Sequence, residues 1–301
     1  MGKFINPFTD LGFKKLFGTE VNKELLIEFL NDLLEGERSV TDVTFLNKEI
    51  MPESISGRVV IFDVMCQSVD GTRFIVEMQN QTQDYFFDRG IYYLCRAMGS
   101  QGEKGKHWQY EIDPVYGVYF LNFKVEELVK FRTDIILADR ETGAVMSNKL
   151  RQTYMSLPYF EKGTEECKTN FDIWIYLLKH MDILDRMPFK AQKKVFEKLL
   201  SVASIENMTP EERAQYDLVE TAYRDNMNAY NSAIRRGKAE GLAEGEAKGK
   251  AEGKAEGKAE GKAEGKAEGI RLVAKSLKQN GMDIALIMHT TGLSETEINT
   301  L

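Results

Sequence analysis

The sequence predicts a mixed α/β fold, a β-sheet flanked by helices, followed by a helical region and a low-complexity helical tail. Three observations predict it. Two β-rich runs are joined by Asp70-Gly71, which is a strong hairpin signal. Residues 114–123 form a continuous apolar run of β-branched and aromatic residues, typical of a buried strand. The segments on either side of the hairpin carry apolar residues at helical spacing.

The elements of the sheet region follow one another as helix, hairpin, helix and strand. A first helix is predicted across residues 10–34, because apolar residues recur there at helical spacing and Gly36 follows as a stop signal. The hairpin strands, the second helix and the buried strand are predicted at residues 59–69, 73–79, 85–98 and 114–123. This order describes a mixed sheet with helices on its faces, which we assign to a first domain at residues 1–160.

The middle of the chain is predicted to be helical throughout. Helices are expected at Phe171–Leu184, Ala191–Ser204 and Thr209–Ala233. The third opens with Thr209 as a cap, Pro210 at the first helical position and glutamates in the first turn, which is a coherent start signal. We therefore expect a helical extension at residues 161–236.

Residues 237–269 are a low-complexity segment with glycine at every fourth position and mostly Lys-Ala-Glu between. Each glycine costs an isolated helix roughly 1 kcal/mol, and in a strict four-residue repeat no Lys–Glu pair falls at i+3 or i+4. The segment is therefore expected to be poorly helical as an isolated peptide. Two interpretations stay open, a spacer or a helix that self-associates as a coiled coil with one chain's lysines against another's glutamates. The second predicts a homo-oligomer formed through residues 237–301.

Residues 270–301 are predicted to form a small helical module of three short pieces. Gly281 and Gly292 separate the pieces, and Ser294 forms a capping box with Glu297. The pattern resembles the last two helices of a helix-turn-helix motif. The final piece carries two glutamates and no Lys or Arg, which is the wrong charge to lie against phosphates. Protein–protein contact is therefore favoured over DNA reading.

The composition excludes several classes of protein. Three widely spaced cysteines without a CxxC pair argue against a disulfide framework and a zinc site. The N-terminus lacks an apolar signal core, and no stretch approaches the roughly 20 apolar residues of a membrane span, so a cytoplasmic protein is predicted. The net charge of −7 argues against a simply basic nucleic-acid-coating protein. It still allows a protein with a local acidic cluster whose basic residues are confined to one face.

Two carboxylates dominate the chemistry of the hairpin. Asp63 and Glu77 each lie seven residues from Asp70, so pairing about the turn makes them cross-strand neighbours. Like charges that oppose each other are destabilising unless a cation lies between them. Oxygen ligands select Mg²⁺, with Mn²⁺ as a substitute. The alternative is a carboxylate pair on the solvent face, but Gln79 shares the face of Glu77 and extends the polar group.

Several motifs occur in an order that resembles a known family. They are Asp10-x-x-Phe13-Lys14, LLIEFLNDLL at 25–34, FDV at 62–64, Asp-Gly at 70–71, IVEMQ at 75–79 and FFDRGIYYLCR at 86–96. Together they resemble the recombination-promoting nuclease/transposase family of the PD-(D/E)XK superfamily, over about residues 1–240. Each motif is weak alone, and the ordered set is specific. The resemblance implies a restriction-endonuclease-like fold and Mg²⁺-dependent endonuclease cleavage of DNA phosphodiester bonds.

The resemblance also implies roles for individual residues. Asp63 matches the metal-binding aspartate of the family, and Glu77 matches the acidic member of the (D/E)xK element. Gln79 stands where the superfamily usually has lysine. Asp10 matches an acidic position in the first helix, although an aspartate there could equally be the helix N-cap.

The glutamine at position 79 lacks the positive charge of the lysine that the superfamily usually has there. A lysine would position water and stabilise developing negative charge, whereas neutral Gln79 can only hydrogen-bond. Either another cation serves, with Lys14, Lys15 and Arg89 as the candidates, or activity is slow or lost; a chain without activity would be a DNA-binding or scaffolding protein that keeps the fold. Arg89 and Tyr93 lie four residues apart on one helix face, which suits a phosphate contact. The sequence shows no separate three-carboxylate site for a DNA-joining reaction.

Overall fold

The computed structural model describes residues 2–50, 60–81, 84–102, 108–189 and 193–301. The chain divides into two compact units, Met1–Arg224 and Asp225–Leu301. The predicted strand start at Val59 and helix start at Ala191 lie outside the described residues.

The first unit is built on a six-stranded mixed sheet. Its strands, with a separate short pair β2–β3, are β1 Val43–Phe45, β2 Glu49–Ile50, β3 Val60–Ile61, β4 Val64–Ser68, β5 Arg73–Gln79, β6 Val115–Leu121, β7 Arg132–Ala138 and β8 Val145–Ser156. The order is β1-β4-β5-β6-β8-β7. Strands β5, β6 and β8 run parallel to their neighbours in this central part, and the outer pairings are antiparallel. The central β6 is buried at every position, as expected of a strand covered on both faces.

Helices cover both faces of this sheet. In the first unit they are α1 Asp10–Phe17, α2 Lys23–Leu33, α3 Phe86–Gly99, α4 Asn170–His180 and α5 Lys194–Ala203, and the helix α6 Pro210–Gln279 begins there. Four of these helices, α1, α2, α4 and α5, share one aromatic core. Trp174 of α4 lies 6.1 Å from Phe17, 5.9 Å from Phe29 and 5.0 Å from Phe196, measured between ring centroids. The helical region after the sheet therefore buries its aromatic residues in the same core as the first two helices.

The opposite face of the sheet is covered by α3. Its Phe86 packs against the tyrosines of β6 and β8, Tyr119 and Tyr154, whose rings stack at 4.8 Å. Gly90 allows this close packing, because a Cβ atom there would lie 3.0 Å from the Tyr154 hydroxyl. The Tyr119 hydroxyl donates a hydrogen bond to the Gly90 carbonyl at 3.3 Å. Helix α3 is thereby held close to the strands that carry the candidate site.

The predicted hairpin and its register are confirmed. Val64 pairs with Val76, and the turn holds Gly71 at φ +86°, a conformation that favours glycine. The first strand is shorter than predicted, because its backbone changes partner at Phe62 and Asp63: β3 pairs with β2, and β4 with β5. Asp63 therefore lies at a break in the strand, next to the start of β4.

The single helix predicted at residues 10–34 is wrong, because the chain forms α1 and α2 with a break between them. The break follows Gly18, whose N–H bonds to the Lys14 carbonyl at 2.8 Å and closes α1. A short 3₁₀ turn, Glu20–Asn22, then leads into α2. The hairpin of β7 and β8 was not predicted, and neither were β1 and β2.

Strand β7 forms an edge of the sheet. Three consecutive apolar residues, Ile135, Ile136 and Leu137, are 40%, 42% and 46% exposed. The pairing with β8 shifts register on both sides of Leu137. The strand therefore presents apolar side chains on both of its faces, and within the described residues no further strand pairs with its outer side.

The second unit contains the rest of α6 and two short helices, α7 Ile284–Thr291 and α8 Glu295–Thr300. The repeat at residues 237–269 lies within α6 and its side chains are exposed, so this segment is helical in the full chain. The repeat is irregular at residues 245–248, which read Gly-Glu-Ala-Lys. As a result one Lys–Glu pair does fall at i,i+4, with Lys248 and Glu252 at 4.0 Å. Both side chains are well exposed, so the pair contributes at most about 0.5 kcal/mol.

The C-terminal module forms around a small apolar core of Ala274, Ile287 and Ile298. The predicted first piece is the end of α6 rather than a separate helix. The capping box is confirmed: the Ser294 hydroxyl accepts from the Glu297 N–H, and the Glu297 carboxylate accepts from the Ser294 N–H. Within the part of the chain that the structure describes, no helix is both long enough and apolar enough to cross a bilayer.

Candidate active site

Asp63 and Glu77 hold each other through reciprocal backbone contacts. The Asp63 N–H donates to Glu77 Oε1 at 3.1 Å, and Asp63 Oδ2 accepts from the Met78 N–H at 2.9 Å. Because the strand is interrupted at Asp63, its N–H donates to the side-chain carboxylate of Glu77 on the opposite strand. The hairpin therefore fixes both carboxylates next to each other at the start of β4.

Burial makes this pair hard to ionise. Glu77 is only 3% exposed, and burial together with the neighbouring Asp63 raises its pKa to about 8. The pKa of the half-buried Asp63 is also raised, first by burial and then by the charge of Asp10, while the Met78 N–H opposes the shift. Without a cation the pair therefore keeps a proton at a pH where exposed carboxylates are ionised.

Gln79 is buried beside Glu77 on β5. Its side-chain Nε2 donates to Glu77 Oε2 at 3.1 Å. With the Asp63 N–H on Oε1, both oxygens of the Glu77 carboxylate have a neutral donor. Gln79 thus orients Glu77 and brings no positive charge to the site.

Helix α3 brings Arg89 to the same carboxylate. Its Nη2 lies 4.0 Å from Glu77 Oε2, and its guanidinium lies over the Tyr93 ring at 5.4 Å. Tyr93 packs edge-on against Phe62 at 5.3 Å, so the residue next to Asp63 supports the ring beneath Arg89. The predicted Arg89–Tyr93 pair therefore lies on the site.

Helix α1 brings two charges near Asp63. The Lys14 ammonium binds Asp10 Oδ1 at 2.6 Å, one turn apart on the helix. Both charges act on the pKa of Asp63: Asp10 raises it and Lys14 lowers it. Thr9 caps α1 by accepting from the Gly12 N–H at 3.0 Å, so Asp10 is the first residue of the helix and not its N-cap.

Lys15 faces elsewhere. Its ammonium binds Glu212 Oε1 at 2.9 Å, in the first turn of α6. The Glu212 carboxylate also accepts from the Thr209 N–H, and the Lys15 ammonium lowers its pKa, so it stays ionised. Lys15, which was predicted to contact a phosphate, is therefore paired with a carboxylate of α6 in this structure.

The donor set at this site fits a hard divalent cation. Across residues 2–50, 60–81, 84–102, 108–189 and 193–301, no three carboxylate, imidazole or thiol groups converge closely enough to hold a metal alone. Mg²⁺ does not need three, because it usually binds one or two carboxylates and completes its shell with waters and substrate phosphates. Burial raises the pKa of both acids, and the neighbouring carboxylates Asp63 and Asp10 raise the pKa of Glu77 and of Asp63 respectively; a bound cation favours the ionised form of each.

Tyr119 was missed by the sequence reasoning. It pairs with Glu77 across the parallel strands β5 and β6, and burial raises the pKa of its hydroxyl above the ordinary range. Its position in a continuous apolar run gave no polar signal. Only the register between β5 and β6, which depends on distant parts of the chain, places it beside the carboxylate.

Comparison with known proteins identifies the family. A family model described as PD-(D/E)XK nuclease family transposase matches residues 7–233, about three quarters of the chain. No curated protein and no solved structure matches the chain significantly. The matched segment contains the sheet, α1 and α3, and hence the residues around Asp63 and Glu77. The chain belongs to the PD-(D/E)XK nuclease family transposases.

Proposed function

We propose that this member of the PD-(D/E)XK nuclease family is a Mg²⁺-dependent DNA endonuclease, with Mn²⁺ as a substitute metal. The observation that carries the proposal is the fixed pair of Asp63 and Glu77, two buried or half-buried carboxylates whose pKa values are both raised. Placing two acids where their ionisation is opposed costs stability, and such groups cluster at functional sites. Family membership supports nuclease chemistry at this pair.

Different side chains have different roles in the proposed hydrolysis of a phosphodiester. Asp63 and Glu77 hold the cation, which when bound supplies Lewis-acid polarisation of the phosphate and a water of lowered pKa. Arg89, supported by the Tyr93 ring, binds a phosphate oxygen of the DNA strand. Gln79 keeps the Glu77 carboxylate oriented through its 3.1 Å hydrogen bond. Water attacks phosphorus in line and releases a proton to solvent as the new P–O bond forms, and the bond to the sugar oxygen breaks as that oxygen takes up a proton from solvent.

The missing lysine charge is supplied by Lys14 in this proposal. Lys14 is close enough to lower the pKa of Asp63, and it belongs to a different element from Gln79. Its partner Asp10 is well exposed, so the ion pair is screened by solvent and can open when a phosphate arrives. Lys14 is preferred to Lys15 for this role, because Lys14 acts on the pKa of Asp63 whereas Lys15 is paired with Glu212 of α6.

A second function has an observation in its favour. Gln79 is neutral and already hydrogen-bonded to Glu77, so the side chain at the usual lysine position provides no positive charge. A chain that keeps the fold but has lost cleavage would act as a DNA-binding or scaffolding protein. This alternative predicts DNA binding without metal-dependent strand scission.

Cleavage assays separate the two functions. Full-length protein is incubated with supercoiled and linear plasmid in Mg²⁺, in Ca²⁺ and in chelator, and calorimetry measures divalent metal binding. Asp63→Asn keeps the size of the side chain and removes its charge. Asp70→Asn is the matched control, because Asp70 is the acid at the opposite end of the same hairpin. Nicking by wild type and Asp70→Asn alone supports the endonuclease, whereas metal-dependent nicking by Asp63→Asn removes Asp63 from the mechanism.

We also propose that residues 237–301 join copies of the chain. The support is a continuous helix whose repeat exposes its glycine, lysine and glutamate rows. Lysine rows against glutamate rows of a second copy would provide opposite-charge contacts that most of the single helix lacks.

A further inference from the structure

Helix α3 exposes aromatic rings beside the candidate active site. Tyr85, which immediately precedes the helix, is 80% exposed, and Tyr92 in its second turn is 46% exposed. Ile91 and Cys95, one turn apart on the same helix, are exposed as well. Such rings contribute little to the core, and an apolar surface of this kind marks a binding site. We call these four residues the outer face of α3.

Arg89 joins this outer face to the carboxylate pair. Its Nη2 lies 4.0 Å from Glu77 Oε2. Its N–H donates to the Tyr85 carbonyl at 2.9 Å, one turn back. Tyr92 lies three residues ahead, a separation that places the two Cβ atoms about 5–6 Å apart. One turn of helix rises about 5.4 Å, against about 3.4 Å per nucleotide along a stacked strand. Each ring therefore lies one or two nucleotides from a phosphate bound at Arg89.

The charges of α3 suit a polyanion. Tyr92 lies three residues after Arg89 and four before Arg96, so positive side chains flank its ring along the helix, and Asp88 is the only acidic residue of α3. An apolar protein surface over this face would have to cover the guanidinium groups, and burying a charge costs free energy unless an anion pairs with it. A DNA strand brings a phosphate with each nucleotide, and phosphates pair well with arginine. The outer face of α3 therefore fits a nucleic-acid strand better than an apolar protein partner.

The acidity of the whole chain favours single strands over duplex. Affinity for duplex DNA without regard to sequence comes mainly from neutralising phosphates, which a chain of net charge −7 does poorly. Stacking of bases on exposed aromatic rings supplies affinity without added charge. In a duplex the bases are already stacked and paired, so a base has to be unpaired before its face can contact a ring.

We propose that Tyr85 and Tyr92 stack unpaired bases of the DNA strand whose phosphate is bound by Arg89 at the carboxylate pair. The proposal rests on the proposed nuclease function and narrows its substrate to DNA with single-stranded nucleotides beside the cleaved bond. Arg89 binds the phosphate, and the rings one turn to either side hold the neighbouring bases. The preference is for unpaired bases of any sequence, because every base has a face that can stack.

A binding assay tests the rings without cleavage. Fluorescence anisotropy measures the affinity of the full chain, in chelator, for a labelled single-stranded oligonucleotide and for the same strand in a duplex. Neither stacking nor the arginine contact requires a metal, so binding is expected under these conditions. Tyr85→Gly removes one ring and suits the backbone, because Tyr85 has φ +60°, a conformation that favours glycine. Tyr92→Ala removes the other ring, and Tyr92→Phe keeps it.

Tyr110→Gly is the matched control for Tyr85→Gly. Tyr110 is also 80% exposed and has φ +62°. Its ring contacts Trp108 at 4.7 Å, and the Trp108 ring lies beside Gly102, just after the opposite end of α3. A helix of 14 residues is about 20 Å long, so this control removes an equally exposed tyrosine far from Arg89.

Wild type, Tyr110→Gly and Tyr92→Phe are expected to bind the single strand alike and more tightly than the duplex. Tyr85→Gly and Tyr92→Ala are each expected to lose at least about fivefold in single-strand affinity. An unchanged affinity in either of these two variants overturns the assignment, even if the wild type cleaves DNA. Equal losses in Tyr92→Phe and Tyr92→Ala also overturn it, because the ring would then not be the cause.

Two further outcomes separate this inference from its alternatives. Unchanged DNA affinity in Tyr92→Ala, with fewer copies per particle by light scattering, overturns the DNA assignment and gives the outer face of α3 to contact between copies of the chain. Single-strand binding that depends on both rings, with no cleavage by wild type in Mg²⁺, supports the stacking assignment and overturns the nuclease proposal alone.

Discussion

Replacing Glu77 by glutamine is expected to stabilise the metal-free protein at alkaline pH. Burial and the charge of Asp63 raise the pKa of Glu77 from its ordinary 4.5 to about 8. The folded state therefore binds a proton that the unfolded state has released. Stability from this group is fully present below pH 4.5 and is lost as pH rises through 8. The amide of Glu77→Gln never ionises and keeps an oxygen for the Asp63 N–H, so the variant escapes this loss.

The size of the effect follows from the same pKa values. Each pH unit between 4.5 and about 8 is worth about 1.4 kcal/mol, which sets an upper limit on the order of 5 kcal/mol. Arg89 and Gln79 stabilise the ionised form and are already included in the raised value. Asp63 shares the proton with Glu77, so part of the loss remains in the variant. A difference of roughly 1 to 4 kcal/mol between pH 5 and pH 9 is therefore expected.

Urea unfolding in chelator, at intervals from pH 5 to pH 9, measures this difference. The quantity to plot is the free energy of unfolding of Glu77→Gln minus that of wild type, because groups elsewhere in the fold cancel. The difference should rise with pH, and added Mg²⁺ should stabilise wild type and not the variant. Parallel pH profiles would refute the reasoning, because Glu77 would then ionise in the folded state as readily as in the unfolded one.

Three other changes test neighbouring parts of the argument. Asp63→Ala should abolish metal-dependent nicking while the thermal unfolding midpoint in chelator stays within a few degrees of wild type, since one of two opposed acids is removed; an unfolded variant would favour a structural role. Gln79→Lys should preserve or raise the nicking rate, because it restores a cation on the Glu77 face of β5, and complete loss with intact metal binding would show that the glutamine has its own positioning role. A chain that ends at Arg236 should remain folded and contain fewer copies per particle than the full chain, measured as the light-scattering mass divided by the mass of one chain, with a difference that shrinks at high salt; equal numbers of copies would refute the association model.

The sequence predicted those parts of the fold that local chemistry determines. Asp70-Gly71 specified the hairpin and its register, and the register brought Asp63 to Glu77. Ser294 and Glu297 specified the start of α8 in the same local way. In each case the determining atoms lie within a few residues of one another, so no distant contact is needed to read them.

The parts that were missed depend on distant contacts. The β7–β8 hairpin carries polar and charged residues among apolar ones, and its place in the sheet is set by pairing with β6. The break at Gly18 lets α1 and α2 pack separately against the sheet, which helical periodicity alone does not show. The glycine repeat predicts poor helicity for an isolated peptide, but that propensity does not decide the state of a segment that extends an already formed helix, where no new nucleus is required.

The exposed edge strand β7 has a practical consequence for handling the protein. The edge of the sheet at Ile135, Ile136 and Leu137 is open to pairing with a strand of a second molecule. Such pairing leads to aggregation in concentrated solutions and during refolding. This aggregation is expected to increase with protein concentration and to persist when the repeat is removed. A dilution series of the chain ending at Arg236 therefore separates this aggregation from association through residues 237–301. Ile135→Lys places a charge on the exposed edge strand and is the substitution to try for a protein that stores and crystallises better.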